Sequence, residues 1–316
     1  MLGSTFDPVR NQIADSFRRI LTGGSEPALA VAWITDDGDD GWFGPDSVAW
    51  RVHGDLATLV GGLRALLLQT LHPLAMAGVA QHSAYRSDPF GRLQRTAGFL
   101  VATIFGTTAD AEAAVATVRR VHERVRGTAP DGRPYAATDP HLITFVHVTE
   151  VDSFLAAHQA LSTDPLSDDD ADRYVAEMGE IARRLGGEDV PTDVASLRRW
   201  LDEVRCELSL GADARRALRF LLNPPLPLFA RPAYALVASA AIGLLPFWAQ
   251  RALYLPAVPA VDRLAVRPAM RSALGVLGWA LGAPPQEEAA RRRAGLPSGA
   301  EPAFGSLADD EALDLR

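Results

Sequence analysis

Seven histidines carry most of the metal or proton chemistry that this 316-residue sequence could perform: His53, His72, His82, His122, His141, His147 and His158. There is one cysteine, Cys206, and every one of the 31 lysine-plus-arginine positions is an arginine. A single cysteine forms neither an internal disulfide nor a cysteine metal cluster. Without lysine, Schiff-base chemistry, a P-loop and a lysine base are excluded. A metal site must therefore use histidine and carboxylate.

His122 has the most informative surroundings of the seven. It lies in RRVHERVRG, residues 119–127, on a helical stripe of valines at 115, 118, 121 and 125. This spacing turns the imidazole toward the interior, and Arg126 follows four residues later on the same side. One interpretation is a core histidine. The other is a haem ligand, which needs a neutral imidazole in an apolar slot with cations nearby for the propionates. From this helix alone, the core histidine is favoured.

The preceding segment, GRLQRT, spaces three polar residues for one helical face: Arg92, Arg95 and Thr96. Burying two guanidinium groups without an anion or hydrogen-bonding ligand is costly. The face is therefore either solvated or part of a ligand site. Just upstream lie His82 and Asp88, and Asp88 suits a turn or a helix cap. His53, His141 and His158 have no supporting partners at helical spacing.

The elements that must position these residues are helices. Apolar residues recur at helical spacing through most of the chain, no convincing strand alternation appears, and caps such as Thr107 or Thr108 and Ser167 mark helix starts. A break is expected near Pro73, and TAPDGRPYAATDP is expected to be a loop. We predict one all-α domain over residues 50–283, an irregular or helical entry segment over 1–50, and a polar, mobile tail over 284–316.

Charge and hydropathy indicate which kinds of partner and which cellular location suit the chain. The net charge of -8 gives no basic footprint for nucleic acid, and the N-terminus lacks an apolar core of signal-peptide length, which favours the cytoplasm. The stretch between Arg231 and Arg251 is uncharged and close to the length of a membrane span, although Gly243 and Pro246 interrupt it. The favoured interpretation is a core helix that is buried or touches a membrane, and the alternative is a true membrane insertion.

A family resemblance adds to this interpretation. Three pieces occur in order between about Trp50 and Leu161: LLLQTLHPLAMAGVAQHSAYRSDPFGRLQRT, IFGTTADAEAAVATVRRVHERVRG and YAATDPHLITFVHVTE. Together they resemble the catalytic domain shared by latex-clearing rubber oxygenases and MpaB-type oxygenases. The resemblance implies an all-helical fold with a globin-like core, a single b-type haem, and dioxygen chemistry on a small apolar substrate.

The resemblance also implies roles for individual residues. His122 resembles the proximal iron ligand, and Arg126 resembles the arginine that accompanies it. Arg92 and Thr96 resemble polar residues of the helix that lines the haem pocket. His147, in FVHVTE, matches a recurring family position and either orients a propionate or is structural.

The chain departs from the latex-clearing pattern at two positions. Arg95 stands where that pattern has a lysine over the iron, and a guanidinium has no lone pair to offer a metal. The glutamate expected upstream has no counterpart in MAGVAQHS, where His82 is the nearest titratable residue. Arg95 or His82 is therefore expected to donate to the oxygen substrate, and the helices around 60–80 and 233–249 to line an apolar cavity. The alternative is a helical haem-binding or membrane-peripheral module without turnover.

Overall fold

The computed structural model describes residues 7–22, 37–83 and 88–297, which fold as a single all-α domain with one small β-hairpin. The all-α prediction is confirmed. The helices are α1 (Asp7–Thr22), α2 (Val48–Gly54), α3 (Thr58–Gln69), α4 (Pro73–His82), α5 (Pro89–Phe105), α6 (Thr108–His122), α7 (Pro140–Leu161), α8 (Asp168–Leu185), α9 (Val194–Glu203), α10 (Ala212–Leu222), α11 (Arg231–Leu244), α12 (Phe247–Ala252), α13 (Pro259–Val261), α14 (Arg267–Leu281) and α15 (Pro285–Arg293). Val204–Glu207 and Leu228–Ala230 are 3₁₀ turns, and Asp262–Val266 is a π-helical turn.

The break predicted near Pro73 separates α3 from α4. His72 is the N-cap of α4, and its Nδ1 accepts hydrogen bonds from the backbone N–H groups of Leu74 and Ala75. The two helices bend by 105° at this point. Among the described residues, no single helix is long and apolar enough to cross a membrane, and this bent pair passes the same test by length and composition only.

Helices α5 and α6 form an antiparallel hairpin with a short link. Asp88 caps α5 by accepting from the N–H of Gly91, and α5 ends at Gly106. Thr107 then caps α6, and its hydroxyl and the Asp110 carboxylate satisfy each other's backbone N–H groups. Because the two helices have similar lengths and pack together, the end of α6 returns to the start of α5.

The apolar core has two main clusters that meet along α7, a helix buried on nearly every side. The first cluster joins α7 to α2, α5 and α8, and includes Trp50, Phe105 and Tyr174. The second joins α7 to α3, α11 and α14. Helix α8 starts at the predicted Ser167 cap and ends at Gly186, whose φ of +100° a residue with a side chain rarely adopts.

Both ends of the described chain pack on the domain. Helix α1 contacts α14 and α5, and α15 also contacts α5. Residues 285–293 were expected to begin a mobile tail, but they form α15, where Arg293 donates to the carbonyl of Phe105 at 2.7 Å. Residues 1–6 and 23–36 of the entry segment and residues 298–316 lie outside the described residues.

The segment expected to be a loop after α6 is a β-hairpin. Strands β1 (Arg126–Thr128) and β2 (Pro134–Ala136) are antiparallel, with Gly127 opposite Tyr135. The strands are only three residues long, too short for their alternation to register in the sequence. Gly132, with a φ of +87°, makes the tight turn between them.

Candidate functional site

Four elements meet at one end of the α5–α6 hairpin: the last residues of α4, the start of α5, the end of α6, and the β-hairpin. Arg92 of α5 donates to the hydroxyl of Ser83, which caps α4. Gln81 of α4 donates to the carbonyl of Thr128 in β1. These contacts bring Arg92 close to the end of α4, which carries His82. His122 ends α6 three residues before Val125, whose side chain lies beside Gly78 of α4.

His122 is the last residue of α6 and is half-buried. Its Nδ1 is buried and has no hydrogen-bond partner. Burial lowers the pKa of the imidazole below its ordinary value of 6.5, so the ring is neutral at pH 7. A neutral imidazole with an unused nitrogen can ligate a metal.

The valine stripe predicted around His122 is only partly internal. Val115 is buried, while Val121 is 52% exposed. The valines near the end of the stripe are not buried, because α6 ends at His122 rather than continuing to Gly127.

Arg126 does not lie one helical turn beyond His122, so that part of the prediction is wrong. After α6 the chain turns through residues 123–125, and Arg126 begins β1 with an exposed side chain. The strand begins here because Gly127 leaves room for the ring of Tyr135. A Cβ on Gly127 would lie 2.7 Å from the tyrosine hydroxyl oxygen.

The GRLQRT face is largely solvated. Arg95 has 62% of its side chain exposed and forms an ion pair with Asp88 at 3.3 Å. Thr96 is exposed, and its hydroxyl donates to the backbone carbonyl of Arg92. Only Arg92 is half-buried, which makes it the best placed of the three to face a ligand at this end.

His82 belongs to a small network that the sequence does not reveal. Its Nε2 lies 3.1 Å from the hydroxyl oxygen of Tyr135, and that hydroxyl donates to Oε1 of Gln81 at 2.7 Å. His82 is exposed, whereas the body of Tyr135 is buried. Tyr135 escaped notice because its segment was interpreted as a loop.

A family model described as the catalytic domain of the ER-bound oxygenase mpaB/B' and rubber oxygenase matches residues 50–279. The chain belongs to this family. No curated protein and no solved structure matches it. The matched region is thus an oxygenase catalytic domain, a class that acts on small molecules with dioxygen. It contains all seven residues predicted for the site: Arg92, Arg95, Thr96, His82, His122, Arg126 and His147.

His147 lies on a different helix of this oxygenase domain from His122. It is buried on α7, and burial lowers the pKa of its imidazole to about 3, with Arg183 adding a smaller effect in the same direction. One turn later on α7, burial raises the pKa of Glu150 to about 7, while a hydrogen bond from Gln69 opposes the shift. Helix α7 packs on α3 and α8, whereas α6 packs on α5 and α8.

A second group of possible metal ligands comprises His72, His141 and Glu207, whose ligand atoms lie within 4.8 Å of one another. Nε2 of His141 is 3.0 Å from Oε1 of Glu207, and Nε2 of His72 is 3.5 Å from Oε2. However, Nδ1 of His72 accepts backbone hydrogen bonds at the start of α4. A neutral imidazole with an accepting Nδ1 carries its proton on Nε2, which then has no lone pair for a metal.

The remaining histidines have partners that come from distant parts of the chain. Nε2 of His53 lies 3.1 Å from the hydroxyl oxygen of Tyr174, and Nδ1 of His158 lies 3.4 Å from Oδ2 of Asp55. Neither partner lies at helical spacing, and spacing along one helix cannot reveal contacts between helices. Both pairs lie in the packed interior and explain these histidines structurally.

A cleft lies between α6 and α8, and Glu123, the residue after His122, is among its lining residues. It has a volume of about 530 Å³, and its lining includes Trp42, Arg119 and Arg184. His122 is not part of this lining. The charged walls of this cleft suit solvent better than an apolar substrate.

Proposed function

We propose that this chain is a haem b-dependent oxygenase that uses dioxygen on a small apolar substrate, with His122 as the axial iron ligand. The observation that carries the proposal is the buried, unpartnered Nδ1 of His122 inside a region matched by an oxygenase family model. Burying an imidazole nitrogen without a hydrogen-bond partner costs free energy, so such an atom calls for an explanation. Binding of this imidazole to a metal would supply that explanation.

The residues around His122 suit haem. The lowered pKa of His122 keeps its imidazole neutral, and neutral imidazole is the form that binds iron. Arg92 and Arg126 supply cations for the two propionates, Arg92 from the start of α5 and Arg126 from β1. When bound, the haem supplies the redox chemistry, and the protein holds, orients and shields the reactants.

The residues of the GRLQRT face and His82 would act on the oxygen substrate. Arg95 carries N–H donors and no lone pair, so it can stabilise developing negative charge but cannot ligate iron. To reach a substrate, its guanidinium must leave the carboxylate of Asp88. Thr96 would assist as a hydroxyl donor, and His82 would share a proton with Tyr135. His147, with its lowered pKa, would act as a neutral orienting group.

An apolar substrate suits the helices that we expect to line the cavity. Residues 60–80 fall on α3 and α4, and residues 233–249 fall on α11 and α12. Helices α3 and α11 pack on each other within the second core cluster. Their apolar composition favours a lipophilic molecule over a charged one.

The absorption spectrum of the purified full chain tests the proposal. We expect a Soret band, one haem per chain, and a pyridine haemochrome spectrum typical of haem b. If the protein is purified colourless, titration with haemin should restore the band. A colourless protein that does not respond to haemin would overturn the haem assignment.

A second candidate, a haem-binding module without turnover, is favoured by one observation. Arg95 and Thr96 are exposed, and Arg95 already has a carboxylate partner. Oxygen consumption by the haem-loaded protein with apolar test substrates separates the two candidates. Consumption coupled to substrate loss supports the oxygenase, whereas stable haem binding without consumption supports the module.

A further inference from the structure

The surface between Phe247 and Ala269 has an unusual composition. Five large apolar side chains are exposed there: Phe247, Tyr254, Val258, Val261 and Leu264. Every other exposed residue in this range is alanine, proline or arginine. Tyr254 and Leu264 are more than four-fifths exposed, at 85% and 81%. We call this surface the docking face.

The backbone holds the docking face in place rather than leaving it loose. A Cβ on Gly243 would clash with the Oδ1 atom of Asp262. The π turn that contains Asp262 therefore packs against the end of α11, just before Phe247. The side chain of Gln250 donates to the carbonyls of Ile242 and Leu245. Tyr254 has a φ of +55°, a conformation that non-glycine residues seldom adopt, so the fold maintains an unfavourable backbone where the ring points outward.

The charge of this region is opposite to that of the whole chain. Residues 223–284 contain five arginines and a single acidic residue, Asp262, whereas the chain has a net charge of -8. Asp262 is buried and paired with Arg267 at 2.7 Å. Arg251 and Arg263 are exposed among the apolar side chains, and Arg251 lies over the ring of Phe247. No negative side chain is exposed on the docking face.

Exposed apolar side chains interleaved with arginines suit the boundary between lipid headgroups and acyl chains. The apolar groups enter the membrane, and the cations contact phosphate groups of anionic lipids. A second copy of the chain fits less well. A two-fold contact through this face would bring the arginines of both copies together with no exposed carboxylate to pair them.

We propose that the docking face binds the surface of an anionic lipid bilayer, with Phe247, Tyr254 and Leu264 inserted and Arg251 and Arg263 on headgroup phosphates. This contact is peripheral and does not require a membrane-spanning helix. It is independent of haem binding and of turnover. It would place the apolar helices α11 and α12 next to a reservoir of lipophilic molecules.

Flotation of the full chain with vesicles tests the proposal. We expect binding to vesicles containing equal parts of phosphatidylglycerol and phosphatidylcholine, weakening as salt is raised, and little binding to phosphatidylcholine alone. Leu264→Glu and Phe247→Glu should each lower the partition coefficient by about tenfold. Arg251→Gln and Arg263→Gln should each lower it by about fivefold. Val9→Glu, at a half-exposed position on α1, is the matched control and should leave binding unchanged.

The substituted side chains are exposed, so circular dichroism should show unchanged folding in every variant. Absence of binding to both kinds of vesicle would overturn the proposal. Binding that persists in Leu264→Glu and Phe247→Glu would also overturn it. So would lipid-free self-association that these two variants abolish, because the face would then be a contact between copies of the chain.

Discussion

The guanidinium of Arg95 contacts the carboxylate of Asp88 at 3.3 Å, across two turns at the start of α5. The same carboxylate caps α5 through the N–H of Gly91. Asp88 therefore has two partners, the start of the helix and the guanidinium of Arg95. An exposed ion pair of this kind contributes at most about 1 kcal/mol to stability, so it opens readily when Arg95 has another partner.

Replacing Arg95 by alanine should leave haem content unchanged and slow oxygen-dependent turnover by about 10² to 10³, the effect of losing a positioned donor to developing charge. Steady-state oxygen consumption measures this change. Asp88→Asn is the matched variant, because asparagine keeps the helix cap but removes the charge that holds Arg95. Its turnover should equal or exceed that of the parent protein. Unchanged turnover in Arg95→Ala would identify the arginine as a solvated surface charge.

Replacing His122 by alanine should abolish stoichiometric haem binding, because the iron loses its axial bond while the helices keep their packing. The Soret band per chain and far-UV circular dichroism measure the two effects. His141→Ala, which changes an exposed histidine on α7 that pairs with Glu207, is the control and should retain the haem. Full haem retention in His122→Ala would move the ligand elsewhere, first to His82 or His147.

Glu150 should make stability depend on pH. Its pKa rises from an ordinary 4.5 to about 7 in the folded chain, so its stabilising contribution is complete below pH 4.5 and is lost as pH rises through 7. Glu150→Gln should remove this loss. Relative to the parent, the variant should gain about 2 kcal/mol between pH 4.5 and pH 8, since one pKa unit corresponds to about 1.4 kcal/mol and partial exposure weakens the effect.

Urea unfolding at several pH values measures the difference between the two proteins. That difference cancels the contribution of His147, whose lowered pKa acts in the opposite direction, being lost as pH falls from 6.5 toward 3. Glu112→Gln, at an exposed position on α6, should show no such pH-dependent gain. A flat difference for Glu150→Gln would mean that the carboxyl is well solvated.

Gly127→Ala should destabilise the β-hairpin by about 1 to 3 kcal/mol, because the new methyl group would meet the hydroxyl of Tyr135. Adding Tyr135→Phe should restore part of the loss by removing the atom that the methyl meets. Gly275→Ala, on α14 with open space around it, is the control and should be neutral or slightly stabilising. Equal effects of the two glycine substitutions in denaturant unfolding would contradict this packing.

The helices were predictable because their ends carry local signals. Thr107, Ser167 and Gly186 mark helix ends through hydrogen bonds or backbone angles that involve only a few neighbouring residues. The end of α6 was not predictable in this way. The helix stops at His122 because β1 pairs with β2, and that pairing depends on contact between Gly127 and a tyrosine eight residues away.

In the candidate site too, features set by neighbouring residues were predictable, and features set by distant elements were not. The inward turn of His122 follows from helical spacing, and the neutral state of its ring follows from burial. The partners of His82, His53 and His141 come from elements 53, 121 and 66 residues away, and no periodicity within one helix contains them. The spacing of Arg95 allowed either a solvated face or part of a ligand site. Its exposure in the folded chain depends on the packing of the whole domain.

Helix α5 is enclosed by parts of the chain that the family match leaves out. Residues 7–22 pack on it from one end of the sequence, and residues 285–293 pack on it from the other, where Arg293 holds the last turn through the carbonyl of Phe105. Arg92 and Arg95 sit on this helix. A protein trimmed to residues 50–279 would therefore lose both of these contacts with the helix that carries the two arginines.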